Sequence, residues 1–142
     1  QLFVETDSRH NYFTLRKACL EECLRICTFD IIANNADRKA SHCILDVEGL
    51  VWAIDHGVTF HSEAKLRTVI WDFIGDPLPK SIVADLDRLQ KQFDAVGGLG
   101  EQLQLLISPL EVESCLDRLN YLLEHPSYPA PSSQFPVPWP FI

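Results

Sequence analysis

F-D-I-I-A-N-N-A-D-R-K-A-S-H, residues 29–42, changes character in its middle. Residues 29–33 read as an apolar run, and residues 34–39 are amides, an acid and two bases around one alanine. Asn and Asp bond their own backbone readily, so the polar half is a loop by composition. Asp37 therefore emerges where an apolar segment meets solvent. Just downstream, Cys43–Asp46 and Leu50–Ile54 are short apolar runs separated by Val47-Glu48-Gly49, the pattern of a β-hairpin. Asp55-His56-Gly57 ends its second strand. An acid at the end of a buried strand is held in one geometry and still reaches solvent, which metal ligands and general bases require.

Upstream, residues 1–6 read as a short strand and residues 6–11 as a polar turn. From Tyr12 to about Cys27 the positions Phe13, Ala18, Cys19, Cys23, Ile26 and Cys27 fit a helical period, with Glu21 and Arg25 as a surface pair. Downstream, residues 58–70 have no clear period, and Trp71, Phe73 and Ile74 are expected in the core. Ile82, Val83, Leu86, Leu89 and Phe93 form one stripe of a helix over 80–95, which Gly97-Gly98 stops. Ser108-Pro109-Leu110-Glu111 starts another helix that runs to about His125, with Val112, Leu116, Leu119 and Leu123 inward. The segment 126–142 carries six prolines and reads as an extended tail pinned by Phe135, Trp139 and Phe141. The class expected is α+β, mainly helical, with a small hairpin that carries Asp55.

The chain has 142 residues and a formal net charge of −8, which suits one domain or one lobe of a larger one. That charge argues against nucleic acid as a partner, because binding phosphate backbones needs a basic surface. No apolar run reaches membrane-spanning length, and no leader pattern opens the chain. The sequence opens at Gln1 and contains no Met, so it reads as a piece of a longer protein. Five cysteines without a secretion pattern point to a reducing, cytoplasmic setting. Cys19, Cys23 and Cys27 share one helix face and read as packing residues.

The spacing Asp37, Lys39, His42 at +5 and Asp55 at +18 resembles a kinase active site. In kinases a loop Asp accepts the substrate hydroxyl proton, a side chain five residues on binds Mg²⁺, and an Asp after a hairpin binds the Mg²⁺ on the ATP phosphates. The text N-N-A-D-R-K (34–39), W-A-I-D-H-G (52–57) and K-L-R-T-V-I-W (65–71) is similar to an actinobacterial conserved hypothetical family related to phosphatidylinositol 3- and 4-kinases. The resemblance spans nearly the whole chain and implies a kinase-like C-lobe. Its parts would be a hinge strand at 1–6, a catalytic loop and metal-binding hairpin at 28–57, an activation-type segment and helices at 58–125, and the Pro/Trp-rich tail.

On that resemblance Asp37 and Lys39 are catalytic, Asp55 and His42 hold metal, and Leu2, Val4 and Ile54 line the nucleotide. ATP with Mg²⁺ or Mn²⁺ is the implied cofactor set. His42 stands where the related kinases carry Asn, and imidazole suits Mn²⁺ better than Mg²⁺. Arg38 would brace the loop, and Asn34 and Asn35 would shape it. A glycine-rich phosphate loop and a V-A-I-K-type lysine strand are missing, so an upstream N-lobe or complementing segment is the implied partner, and the isolated chain is expected to bind ATP weakly. Lys65 and Arg67 read equally as contacts to an anionic acceptor or as ion-pair partners. The acceptor itself stays open among lipid, protein and small molecule. Three other readings stand beside phosphoryl transfer: adenylyl transfer on the same residues, a non-catalytic binding module, and a metal hydrolase built on His42, His56, His61 and Asp55.

Overall fold

The structure, a computed structural model, describes residues 4–7 and 9–142. It is α+β and mostly helical, with one two-stranded antiparallel sheet among the described residues. The helix expected from Tyr12 is broken in two: α1 spans Tyr12–Leu15 and α2 spans Leu20–Ala33. Asn11 caps α1 and exchanges hydrogen bonds with Thr14. Ala18, placed on the expected apolar face, is exposed in the turn between the helices. Nothing in the local period marks that break.

Residues 29–33 are not a separate segment but the last turns of α2. Cys23, Ile26, Cys27, Asp30 and Ile31 recur at three- and four-residue intervals and are all buried, so one face continues through the run. Asn34 stops the helix with φ of +52°, and its N–H donates to the carbonyls of Asp30 and Ile31. Asn enters this left-handed region more readily than most residues.

Strands β1 (Cys43–Leu45) and β2 (Val51–Ala53) pair with Cys43 opposite Ala53 and Leu45 opposite Val51. Asp46 organises the turn. Its Oδ1 accepts from the N–H groups of Glu48 and Leu50 at 3.0 and 2.8 Å, and its Oδ2 accepts from Trp52 Nε1 at 2.7 Å. These hydrogen bonds, led by that of Trp52, lower the Asp46 pKa. A depressed folded-state value adds stability above the ordinary aspartate range near 3.9 and loses it as pH falls through the folded value. Trp52 fluorescence is therefore expected to report loosening of the hairpin below about pH 4, and Asp46→Asn should show the same change already at neutral pH.

The expected strand at 1–6 is not seen as such. Its described part makes a single bridge, Thr6 to Asp46, flanked by Asp7 N–H to Leu45 O at 3.0 Å. Residues 1–3, including Leu2, lie outside the described residues.

Helix α3 (Lys80–Asp94) and helix α5 (Pro109–Glu124) stand where the apolar stripes placed them, and Ser108 and Glu111 form the capping box. A short helix, α4 (Leu99–Gln104), joins them. A Cβ at Gly98 would collide with the Gln92 carbonyl, so glycine is needed for the chain to turn back there. The helical core is built from Cys27 and Ile31 of α2, Ile82, Leu86 and Phe93 of α3, and Val112, Cys115, Leu119 and Leu122 of α5. Phe73 joins it, but Ile74 is 45% exposed, against expectation, and Trp71 is half-buried.

The tail is held differently from the expectation. Phe135 and Trp139 are exposed, at 72% and 85%. Tyr128 is the buried anchor, its backbone bonded to Gly75 and Asp76. Further on, carbonyls do the holding: Pro136 O accepts from Thr68 N–H and Trp71 Nε1–H, and Phe141 O accepts from Ala40 N–H at 2.9 Å. A proline-rich segment lacks donors but keeps every acceptor.

The five cysteines are free thiols, and all but Cys19 are buried. Burial pushes the Cys23 and Cys43 thiols up to about 12, which leaves them inert packing groups. No helix among the described residues is long and apolar enough to cross a membrane.

Candidate active site

The site is assembled on one buried cation. Arg38 is fully buried, and its guanidinium forks onto Asp30 of α2, with Nε to Oδ2 at 2.8 Å and Nη2 to Oδ1 at 2.9 Å. Its Nη1 donates to Ile54 O at 2.8 Å and to His42 O at 3.3 Å. Nη2 also donates to His56 Nδ1 at 3.1 Å. One side chain thus ties helix α2, the 3₁₀ turn Ala40–His42 and the end of β2 together. Asn35 extends the frame: its Nδ2 donates to Asp30, and its Oδ1 accepts from Asp37 N–H at 3.0 Å.

That frame brings Asp37, His42 and Asp55 to one place. Each offers a ligand atom, and the three atoms lie within 4.8 Å of one another. Two donors on one octahedral Mg²⁺ stand at most about 4.2 Å apart, so small side-chain movements would complete a shared cation site. Asp55 sits at φ of +56°, a left-handed conformation that aspartate tolerates better than most residues. Its carboxylate is largely exposed, and His42 Nε2 is 3.6 Å from its Oδ2.

His42 is buried, with 9% exposure. Burial holds its imidazole below the ordinary value, with the Asp55 charge acting in opposition. A neutral imidazole is the form that ligates metal. Its Nδ1 accepts from Lys39 N–H at 3.4 Å, which leaves Nε2 turned to Asp55. Lys39 Nζ lies 3.2 Å from Asp37 Oδ2. An ammonium group thus stands next to the candidate base.

The remaining expected residues are placed unequally. Ile54 is 40% exposed immediately before Asp55, and Val4 is half-buried. His56 is fully engaged, its Nδ1 accepting from Arg38 and its Nε2 donating to Ala53 O at 3.1 Å. His61 meets Glu63 N–H and Lys65 Nζ instead. The structure therefore does not bring His56 or His61 to a shared metal with His42. Lys65 contacts His61 and stands 3.9 Å from Glu63, while Arg67 is exposed and in no salt bridge among the described residues.

One relative, Protein Rv2133c of Mycobacterium tuberculosis, is 39% identical over 117 residues. The match covers 82% of this chain and 41% of that protein, so the chain spans about two fifths of its relative's length. No family model matches the chain. No solved structure matches it.

One residue of the site, Asp30, is not marked by the sequence reading, and a second, Asn34, reaches further than that reading has it. Asp30 was absorbed into an apolar run, yet a lone acid on a buried helical face signals a cationic partner inside the fold. Asn34 was read as shaping its own loop. Its side chain instead grips the distant 61–65 segment, donating to His61 O and Glu63 O at 2.7 and 2.6 Å and accepting from Lys65 N–H at 2.9 Å. Backbone bonds from Arg67 N–H to Asn35 O and from Arg38 N–H to Arg67 O continue the seam.

Proposed function

We propose that the chain is the kinase-like C-lobe of a metal-dependent phosphotransferase that uses ATP. The observation that supports this most is the meeting of Asp37, His42 and Asp55 within 4.8 Å, from a loop and a hairpin end 18 residues apart in sequence. Asp55 and His42 would hold Mg²⁺ or Mn²⁺, which offsets charge on the ATP phosphates. Asp37 accepts the proton of an acceptor hydroxyl as its oxygen bonds to the γ-phosphorus. The bond from that phosphorus to the bridging oxygen breaks, and ADP leaves. Lys39 offsets charge on the moving phosphoryl group. Val4 and Ile54, with Leu2, are assigned to the nucleotide's base, and a further lobe closes over it.

The test uses the intact gene product with Mn²⁺ and ATP labelled at either the γ- or the α-phosphorus. Transfer of γ label to acceptor or water, lost by at least about 100-fold in Asp37→Ala, is expected. Transfer of α label would replace this reading with adenylyl transfer. Absence of both, with Mn²⁺ bound normally, would leave a binding module.

A further inference from the structure

A second concavity lies away from the Asp37 cluster, walled by all four of α2, α3, α4 and α5. Its volume is about 310 Å³, and its lining is almost wholly apolar, from side chains that include Phe29, Ile32, Phe60, Leu86, Leu89 and Leu103. An apolar cavity of about 150 Å³ stays dry and takes up benzene. This one has twice that room and falls within the range of small-molecule pockets. A whole helix, about 10–12 Å across with its side chains, would not fit inside it.

The charges at its mouth decide the ligand further. Arg25 and Asp85 line the rim and pair with each other. Arg25 also binds Glu21 at 3.0 Å, and Arg88 binds Asp85. Two cations and two anions satisfy one another there, so the rim offers an incoming charge no unpaired partner. We infer that this pocket binds a small uncharged apolar molecule, of the size and character of a single medium-length hydrocarbon chain. The inference does not rest on the phosphotransfer reading. The pocket nevertheless shares a wall with the Asp55-His56-Gly57 turn, because the Phe29 ring packs edge-on against the His56 imidazole with centroids 4.9 Å apart.

1-Decanol is the probe, titrated into the whole chain and followed by methyl NMR and thermal unfolding. Shifts confined to the methyls that line the pocket, those of Ile32, Ile82, Leu86, Leu89, Leu99 and Leu103 among them, and to the His56 ring that touches Phe29 are expected, with a rise in the melting midpoint of about 3 °C or more near saturation. Leu103→Trp, which fills the space, should weaken binding at least tenfold. Leu89→Phe provides the same test should that variant not fold. Decanoate should bind no better than the alcohol. Shifts scattered over the surface, an unchanged or lowered midpoint, or undiminished binding in a folded filled variant would overturn the proposal. Tighter binding of decanoate would overturn its uncharged class.

Discussion

Arg38→Met is expected to lower the unfolding free energy by about 3–5 kcal/mol, enough to remove a large part of the stability of a domain this size. The substitution leaves the Asp30 carboxylate buried without its cation, and it orphans the Ile54 carbonyl, while the His42 carbonyl keeps only the Ile54 N–H. A carboxylate stranded in a dry interior costs far more than the pair it once made is worth. Urea unfolding followed by far-ultraviolet dichroism measures the difference. Arg38→Lys should recover little, because an ammonium cannot fork onto both oxygens of Asp30 and reach two carbonyls as well. The double variant Arg38→Met/Asp30→Leu should recover part of the loss. A single variant as stable as the parent would show that the frame is held by something else.

Asp55→Asn is expected to weaken Mn²⁺ binding by at least about 100-fold, or about 2.7 kcal/mol. Even groups that merely orient a metal ligand change affinity 10- to 100-fold when removed, and Asp55 is proposed to be a ligand itself. Asparagine suits this test because it also tolerates the left-handed backbone at position 55, so the charge is lost without forcing the turn to rearrange. Mn²⁺ electron paramagnetic resonance, reading free against bound ion, gives the affinity directly. His42→Asn is expected to behave differently: it keeps a donor and shifts preference from Mn²⁺ towards Mg²⁺. Equal Mn²⁺ affinity in the parent and Asp55→Asn would remove the metal from the mechanism.

Much of this arrangement was legible before the coordinates, and the remainder was hidden for identifiable reasons. Helices α3 and α5 follow from stripes of Leu, Ile, Val and Phe with clear stop and start residues, because local chemistry decides them. The hairpin followed from two short apolar runs around Gly49, a glycine at φ of +87°. Asp37, His42 and Asp55 were singled out by spacing and resemblance. Their approach to one another depends on Arg38 and Asp30, whose pairing across the fold leaves no periodic mark in the sequence. The break between α1 and α2 was illegible for a similar reason. No glycine or proline punctuates residues 16–19, and long-range bonds such as Tyr12 Oη–H to Asp72 at 2.5 Å hold α1 in its own place. The tail misled because aromatic rings suggest burial, whereas proline and phenylalanine carbonyls hold it down.

The acceptor that Phe141 presents to the Ala40 amide also sets an order of events during synthesis. Ribosomes deliver a chain from its amino end at about 5–20 residues per second. The loop bearing Asp37 and His42 thus emerges roughly a hundred residues before Phe141, whose carbonyl clasps it at Ala40. Until residues 136–141 clear the exit tunnel, the amides of Ala40 and Thr68 have water in place of their final partners. The corner that carries Asp37 and His42 can therefore acquire these two bonds only after residues 109–124 of α5 have been made.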